Sequence, residues 1–175
     1  MVFVMDNRLQ KCKNNLGGVN EFYIFEWEKY NRSQIIVEEN ILQQFPSTTI
    51  FNLNGKNITF TESIDEEEGG VFYSQTGGFE LQKLQKWDNY KKFAQKDWRI
   101  ILKDRNGNYR LIGLQNGVKI KFTKETGNAI SDFNGFKFTF ENKEEETAPF
   151  FYDLNAFFDV YINPLALQVE LQEEI

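Results

Sequence analysis

The sequence predicts a mainly β fold: an antiparallel β-sandwich or barrel with one flanking helix, about residues 84–96, and extended N- and C-terminal arms. Three observations predict it. Aromatic residues carry much of the apolar content, 18 Phe, 7 Tyr and 3 Trp in 175 residues, and such side chains favour strands. Several short segments alternate apolar and polar residues with period two, as half-buried strands do. Asn-Gly pairs, which supply the positive φ angles of tight hairpin turns, stand at Asn54-Gly55, Asn106-Gly107 and Asn134-Gly135.

Taken in order, residues 1–18 read as an N-terminal arm: apolar Met1 to Met5, polar Asp6 to Asn15, then Gly17-Gly18. The run Val19-Asn-Glu-Phe-Tyr-Ile-Phe-Glu-Trp27 follows the glycine pair and reads as a strand with much of both faces covered. Thr48 to Leu53 and Lys56 to Phe60 flank Asn54-Gly55, which predicts a hairpin closed by a type I′ turn. Asp65-Glu-Glu-Glu-Gly-Gly70 reads as a charged, solvated loop. Val71 to Gln75 and Phe79 to Gln82 are two strand candidates separated by Gly77-Gly78.

Between Leu84 and Ala94 the period changes. Leu84, Trp87, Lys91 and Ala94 recur at helical spacing without Gly or Pro, which predicts a helix that packs Leu84, Trp87 and Phe93 or Ala94 on the sheet and leaves Lys83, Lys86, Lys91 and Lys92 in solvent. Trp98 to Leu102 then leads through Asp104-Arg-Asn-Gly107 and returns along Tyr109 to Gly113, where the glycine marks a bulge or a close backbone approach. Val118-Lys-Ile-Lys-Phe122 and Phe136-Lys-Phe-Thr-Phe140 alternate strictly, so each has one buried and one wet face. Lys124 to Gly135 between them is a polar loop. Residues 19–147 form the β-rich domain, and 148–175 an aromatic C-terminal arm. Pro149-Phe-Phe-Tyr to Pro164 is too aromatic to hang free, so it lies on its own domain or on a neighbour.

Composition narrows the function. One domain with arms fits the length, and such a domain buries roughly 70% of its unfolded surface. With 20 basic against 26 acidic residues and a net charge of -6, the chain is a poor ligand for phosphate backbones, which need a basic face. An acidic wall would instead repel DNA and let it slide. No stretch approaches the roughly 20 apolar residues of a membrane helix, and no basic region, apolar run and small-residue site opens the chain; the expectation is a cytosolic product with no membrane partner. Cys12 is the one cysteine, so it forms no internal disulfide and reads as an inert thiol.

Chemistry is scarce. Zero histidines remove Ser-His-Asp and Cys-His nucleophiles and histidine-ligated metals, and neither a Walker-type loop nor Gly-x-Gly-x-x-Gly is present. The expectation is no enzyme, no cofactor and no metal. Carboxylate pairs remain, from Glu21, Glu26 and Glu28 on the first strand and Asp153 and Asp159 near the end. Among 26 acids some such pair arises by chance, and solvated acids beside core aromatics are the simpler reading. A sugar-binding platform of aromatics is the alternative non-catalytic function, on a β-sandwich that recognises a carbohydrate or host surface.

Three segments in order resemble the tail-tube proteins of long-tailed bacteriophages, especially small ones of Bacteroides-type hosts and, by extension, crAss-like phages. Cys12 followed by Asn15-Leu-Gly-Gly-Val-Asn-Glu-Phe-Tyr-Ile24 is similar to that family's opening strand. Asp97-Trp-Arg-Ile-Ile-Leu-Lys-Asp-Arg-Asn-Gly-Asn-Tyr-Arg-Leu-Ile-Gly113 resembles its strand, Asp-x-Asn-Gly turn and return. Glu125-Thr-Gly-Asn-Ala-Ile-Ser-Asp-Phe-Asn-Gly-Phe136 resembles its later loop and strand. The resemblance covers residues 12–28 and 70–153.

It implies a virion structural protein made in the host cytoplasm and located in the tail, whose protomers join strand edges into a hexameric or dodecameric ring around a DNA conduit. The partners implied are further copies of the chain, neighbouring tail or portal/adaptor proteins, and DNA that passes without tight binding. The extension after residue 153 and the longer region at 40–60 depart from a minimal tube subunit and suit a hub, a terminator or a portal-proximal ring. Phe22, Ile24, Trp27, Phe150, Phe151, Tyr152, Phe157, Phe158 and Tyr161 are the expected oligomer contacts, and the three Asn-Gly pairs the structural turns.

Overall fold

Along residues 17–82 and 90–161, which a computed structural model describes, the chain is mainly β. It runs through β1 (Val19–Glu26), β2 (Ile36–Glu38), β3 (Ile41–Gln44), β4 (Thr48–Asn52), β5 (Lys56–Glu67), β6 (Gly70–Gln82) and a short helix α1 (Tyr90–Gln95). Then follow β7 (Asp97–Asp104), β8 (Tyr109–Ile112), β9 (Val118–Glu125), β10 (Gly135–Glu144), β11 (Phe150–Phe151), a 3-10 turn at Leu154–Ala156 and β12 (Phe158–Tyr161). The twelve strands described all belong to one mixed sheet that branches at β7. Its pairings are antiparallel except β11 with β3 and β12 with β4.

The branch at β7 organises everything else. Along one edge β7 pairs with β1 from Val19↔Asp104 to Glu26↔Trp98. Its other edge is divided: β9 takes Asp97 and Trp98, and β8 takes Ile100 to Lys103. One path then continues through β9, β10 and β6 to β5, and the other through β8, β11 and β3 to β2. Arg99 sits where the two partners part.

Because β1 and β7 lie between two layers, they are apolar on both faces. Phe22, Ile24, Trp98, Ile100 and Leu102 join Phe79, Phe136, Phe138 and Phe140 in one core, where Phe79 stacks on Phe138 at 4.6 Å. Tyr23, Phe25 and Ile101 face the other core, built with Leu42, Phe45, Ile50, Leu111, Phe151 and Phe158. The expected two-sided strand is therefore present. In β9 and β10 the alternation holds as well, with Val118, Ile120, Phe136, Phe138 and Phe140 buried and Lys119, Lys121 and Thr139 exposed.

Phe93 of α1 is buried and stacks on Trp98 at 4.4 Å, while the Trp98 indole N–H donates to Phe93 O at 2.7 Å. That pair ties the helix to the strand. Leu84, Trp87, Lys83 and Lys86 lie outside the described residues, as do the N-terminal segment through Leu16 and the chain beyond Tyr161.

Several turn expectations are corrected. At Asn54-Gly55 only Asn54 has positive φ, 51°, and β4 and β5 do not pair with one another: β4 pairs with β1 and β12, and β5 with β6. A type I′ turn needs positive φ at both central residues, and the strands leave this corner for different partners. The two-residue turn with that geometry is Glu39-Asn40, at φ 51° and 64°, between the paired residues Glu38 and Ile41. Neither is glycine, which is why it was missed. At Asn106-Gly107 the hairpin is as expected, but only Gly107 has positive φ, 88°. Its N–H donates to Asp104 O at 3.1 Å, and the Asp104 carboxylate accepts the N–H groups of Asn106 and Asn108 at 2.9 Å. This is a type I turn closed by a left-handed glycine. Asn134-Gly135 is no turn: Gly135 opens β10 and pairs with both Glu125 and Gln82.

The acidic segment is less of a loop than expected. Asp65, Glu66 and Glu67 finish β5 opposite Phe72, Val71 and Gly70, leaving only Glu68-Gly69 to turn. Nor do Gly77-Gly78 separate two strands, because β6 runs through them and the missing side chains let its neighbours close in. A Cβ on Gly77 would stand 2.3 Å from Thr59 O and 2.5 Å from Phe140 Cζ. Gly77→Ala is accordingly expected to destabilise the fold by about 1–3 kcal/mol through overpacking. Gly69→Ala, with nothing within 4 Å of its Cβ, should move the urea midpoint by no more than a surface change does.

Candidate assembly interface

The β5–β6 hairpin is long, 12 and 13 residues per strand, and only its first half is anchored. Ile58 and Phe60 pack against the core. At Glu62 a polar clamp closes over the end of this core: its carboxylate accepts from Thr147 Oγ1, from Ala148 N–H at 2.9 Å and from Gln75 Nε2 at 2.8 Å. Beyond it the apolar alternation continues on exposed side chains. Ile64 is 66% exposed and Val71 61%, and the register places Ile64 opposite Tyr73. On the reverse face Lys143 lies 4.4 Å above the Phe72 ring and pairs with Glu67 at 2.6 Å.

The same hairpin ends the sheet. Among the described residues β5 pairs only with β6, and along its other edge backbone donors and acceptors are left to which another strand can add. Asp65 to Glu68 cluster negative charge at the tip, a common guard against indiscriminate pairing. An open edge, an apolar inner face and an acidic tip thus occur on one protruding element.

A second cluster fills the branch at β7. Where β8 gives way to β9, the turn Gly113–Gly117 closes with Gly117 N–H donating to Gly113 O at 3.2 Å. Three buried polar side chains hold it. Gln75 Oε1 accepts from Gly113 N–H at 3.3 Å. Glu144 accepts from Gln115 N–H at 3.1 Å, Asn116 N–H at 3.0 Å and Asn142 Nδ2 at 2.9 Å. Arg99 donates through Nε and Nη2 to Leu114 O at 3.2 and 2.9 Å. The guanidinium lies against three rings, with Cζ 5.5, 5.1 and 5.7 Å from the centroids of Trp27, Tyr30 and Phe45. Burial lowers the Arg99 pKa to about 10, against the pull of Tyr30, Glu144 and Glu28, so the group stays charged at neutral pH. Burial also raises Glu144, although the Asn116 and Gln115 N–H groups oppose it.

The expected contact residues divide between these regions and the interior. Phe22 and Ile24 are buried in the first core, beside Phe79, Trp98 and Phe138, and Phe151 and Phe158 in the second, because the segment from Ala148 to Tyr161 folds back as β11 and β12 on β8, β3 and β4; another subunit cannot reach them in this fold. Trp27, Phe150 and Phe157 are half-buried, with Arg110 lying 4.2 Å over the Phe150 ring. Tyr152 is 71% exposed. The Tyr161 side chain lies outside the described residues. Sequence reading missed Ile64 and Val71, whose exposure depends on how far the hairpin outruns the core, and missed Arg99.

The candidate carboxylates do not converge. Glu26 pairs with Lys96 at 2.8 Å, Glu28 is exposed, Asp153 caps the 3-10 turn by accepting from Asn155 N–H, and Asp159 is exposed. Glu21 accepts from the Tyr23 hydroxyl and pairs with Lys103 at 3.0 Å. No family model, curated protein or solved structure matches the chain.

Glu21 supplies a pH test. Burial works against its carboxylate, yet the hydrogen bonds from Tyr23 and Lys103 and the Lys103 charge prevail and set its pKa below the ordinary value. Its stabilising contribution is therefore present above the unfolded-chain pKa and lost as pH falls through the lower folded pKa. The urea midpoints of parent and Glu21→Gln should differ most near neutral pH and converge in acid. A difference constant with pH would overturn this assignment.

Proposed function

We propose that the chain is a structural protein of a phage virion, a ring-forming component of the tail, whether tube, hub or portal-proximal ring, that lines the DNA conduit. One observation carries the reading: among the described residues β5 ends the sheet with an unpaired edge, along a hairpin whose distal apolar residues, Ile64 and Val71, are solvent-exposed. In a monomer that combination invites uncontrolled association. Between copies, the β5 edge meeting a different surface of the next protomer is a heterologous contact, which closes into a ring when its rotation does. The ordered resemblance at residues 12–28 and 70–153 supports the same role, and so does the net charge of -6, which favours passage of DNA over retention.

Mass photometry and negative-stain imaging of the purified protein test this, alone and with neighbouring tail or portal/adaptor proteins. Discrete six-fold or twelve-fold rings are expected. The double substitution Ile64→Lys, Val71→Lys changes only exposed side chains and should leave the unfolding midpoint close to the parent's while abolishing rings. A strict monomer at high concentration, with no ring in the presence of partners, overturns the proposal. If such a monomer binds glycans and loses them on Tyr152→Ala, the chain is a carbohydrate- or surface-recognising module instead.

A further inference from the structure

The last described strand, β12, runs parallel to β4 and sets Tyr161 beside Phe51. The sequence that follows, Ile162-Asn-Pro-Leu-Ala-Leu-Gln-Val-Glu-Leu-Gln-Glu-Glu-Ile175, lies outside the described residues. In it Leu165, Leu167, Val169 and Leu171 alternate with Ala166, Gln168, Glu170 and Gln172. That is the strict period of two that marks a strand with one apolar face. Pro164, which has no N–H to give to a ladder, stands just before it. Such a strand needs a ladder beside it and a surface for its apolar face.

We propose that residues 165–172 of one copy add as a strand to the β5 edge of the next. Among the described residues that edge has no strand beside it. Alternate residues of β5 share a face: Ile58 and Phe60 pack against the core, and Ile64, on the same face, is 66% exposed. A strand that carries Leu165, Leu167, Val169 and Leu171 on this face lengthens the apolar layer and covers Ile64. Main-chain bonds along the edge supply affinity, and the alternate side chains supply specificity.

Charge sets the direction. Laid parallel to β5, the segment brings Glu170, Glu173 and Glu174 towards Asp65 to Glu68. Laid antiparallel, it carries them away from the tip and towards Lys56, whose described hydrogen bond ends on the neutral Gln82 amide. In the antiparallel register that sets Leu165 beside Ile64, Val169 falls beside Phe60 and Gln168 beside Thr61. Leu167 falls beside Glu62, whose carboxylate is already turned to Thr147, Ala148 and Gln75. Direction then selects the copy. The chain leaves β12 beside Phe51, just before the corner at residues 53–55 that leads into β5, so it approaches its own β5 from the Lys56 end. To begin at Ile64 it would first have to cover the roughly 26 Å of strand from Lys56, whereas residues 162–164 span about 10 Å. The β5 of a neighbouring copy sets no such limit.

This strand addition rests on the reading of the chain as a ring component, and its test keeps the two apart. In a Cys12→Ser background, Ile64→Cys and Leu165→Cys are introduced together into the full chain and oxidised. Non-reducing gels are read beside mass photometry and negative-stain images of the same sample. Paired Cα atoms of an antiparallel ladder stand about 5 Å apart, within reach of a disulfide. Most of the chain should migrate as covalent oligomers. The control pair Ser63→Cys, Leu165→Cys, with its thiols on opposite faces, should bridge about tenfold less. Rings without covalent oligomers overturn the strand addition and leave the ring reading standing; bridged open chains without rings do the reverse. Neither rings nor bridges overturns both. A bridge within a single chain places the segment on its own edge and also overturns the inference. Ile64 is exposed, so its replacement leaves the fold intact. Leu167→Lys, Val169→Lys spoils the apolar face of the segment without touching β5. It should reduce assembled protein about tenfold or more at the parent's unfolding midpoint, and unchanged assembly would again count against the strand addition.

Discussion

One strand edge divided between two partners is the constraint on which this structure depends. A strand has a single row of backbone donors and acceptors along each edge, and β7 gives part of one row to β9 and part to β8. At the division the ladder must break, and the chain must turn within a few residues between the buried glycines Gly113 and Gly117. Broken ladders in an interior leave polar groups that need partners. Gln75, Arg99 and Glu144 supply them, taking up Gly113 N–H, Leu114 O and the N–H groups of Gln115 and Asn116. They are the buried polar residues among the described positions, and all three attend the same turn.

The choice of side chains follows from geometry. Leu114 O receives two parallel N–H donors, which guanidinium offers as a planar fork and an ammonium does not. The fork then has a flat face to lay on rings, as it does beside Trp27, Tyr30 and Phe45. Tyr30 and Phe45 belong to the segment that joins β1 to β4, so the Gly113–Gly117 turn is coupled through Arg99 to the second layer. That layer in turn recruits the C-terminal segment. Phe158 contacts Phe25 and Phe45 at 5.5 and 5.2 Å, and these contacts convert a would-be arm into β11 and β12.

Much of this was legible in the sequence, and the boundary is instructive. Two-sided burial of Val19 to Glu26 and the alternations at Val118 and Phe136 were read correctly, because burial of one or both faces writes itself directly into residue type. The hairpin at Asp104 to Gly107 was legible because its turn is local. Asn54-Gly55 and Asn134-Gly135 misled, since the same dipeptide serves where strands diverge to distant partners or start beside two neighbours. Glu39-Asn40 was hidden, because its positive φ angles are imposed by the pairing of Glu38 with Ile41. The interface residues fared least well. Phe22 and Phe158 look the same in sequence whether they bury against their own chain or another, and only the path of the sheet distinguishes the two.

The contrast between the branch and the hairpin carries the functional argument further. Around β7 every layer is covered and the polar groups are largely matched, so the centre of the fold is complete in one chain. At the end of β5 the opposite holds: an apolar face continues past its core, and among the described residues the backbone edge has no strand beside it. Natural sheets ordinarily shorten, bulge or cover such edges. Here the strand is extended instead, and the protection is concentrated in Asp65 to Glu68 at the tip. Charge at the tip opposes random stacking of like edges by repulsion, but leaves the edge itself available to a surface that does not repel it. A geometry that resists indiscriminate pairing while permitting one specific neighbour is what the proposed ordered, self-limiting assembly would require, and in that assembly Ile64 and Val71 would have a surface to cover them.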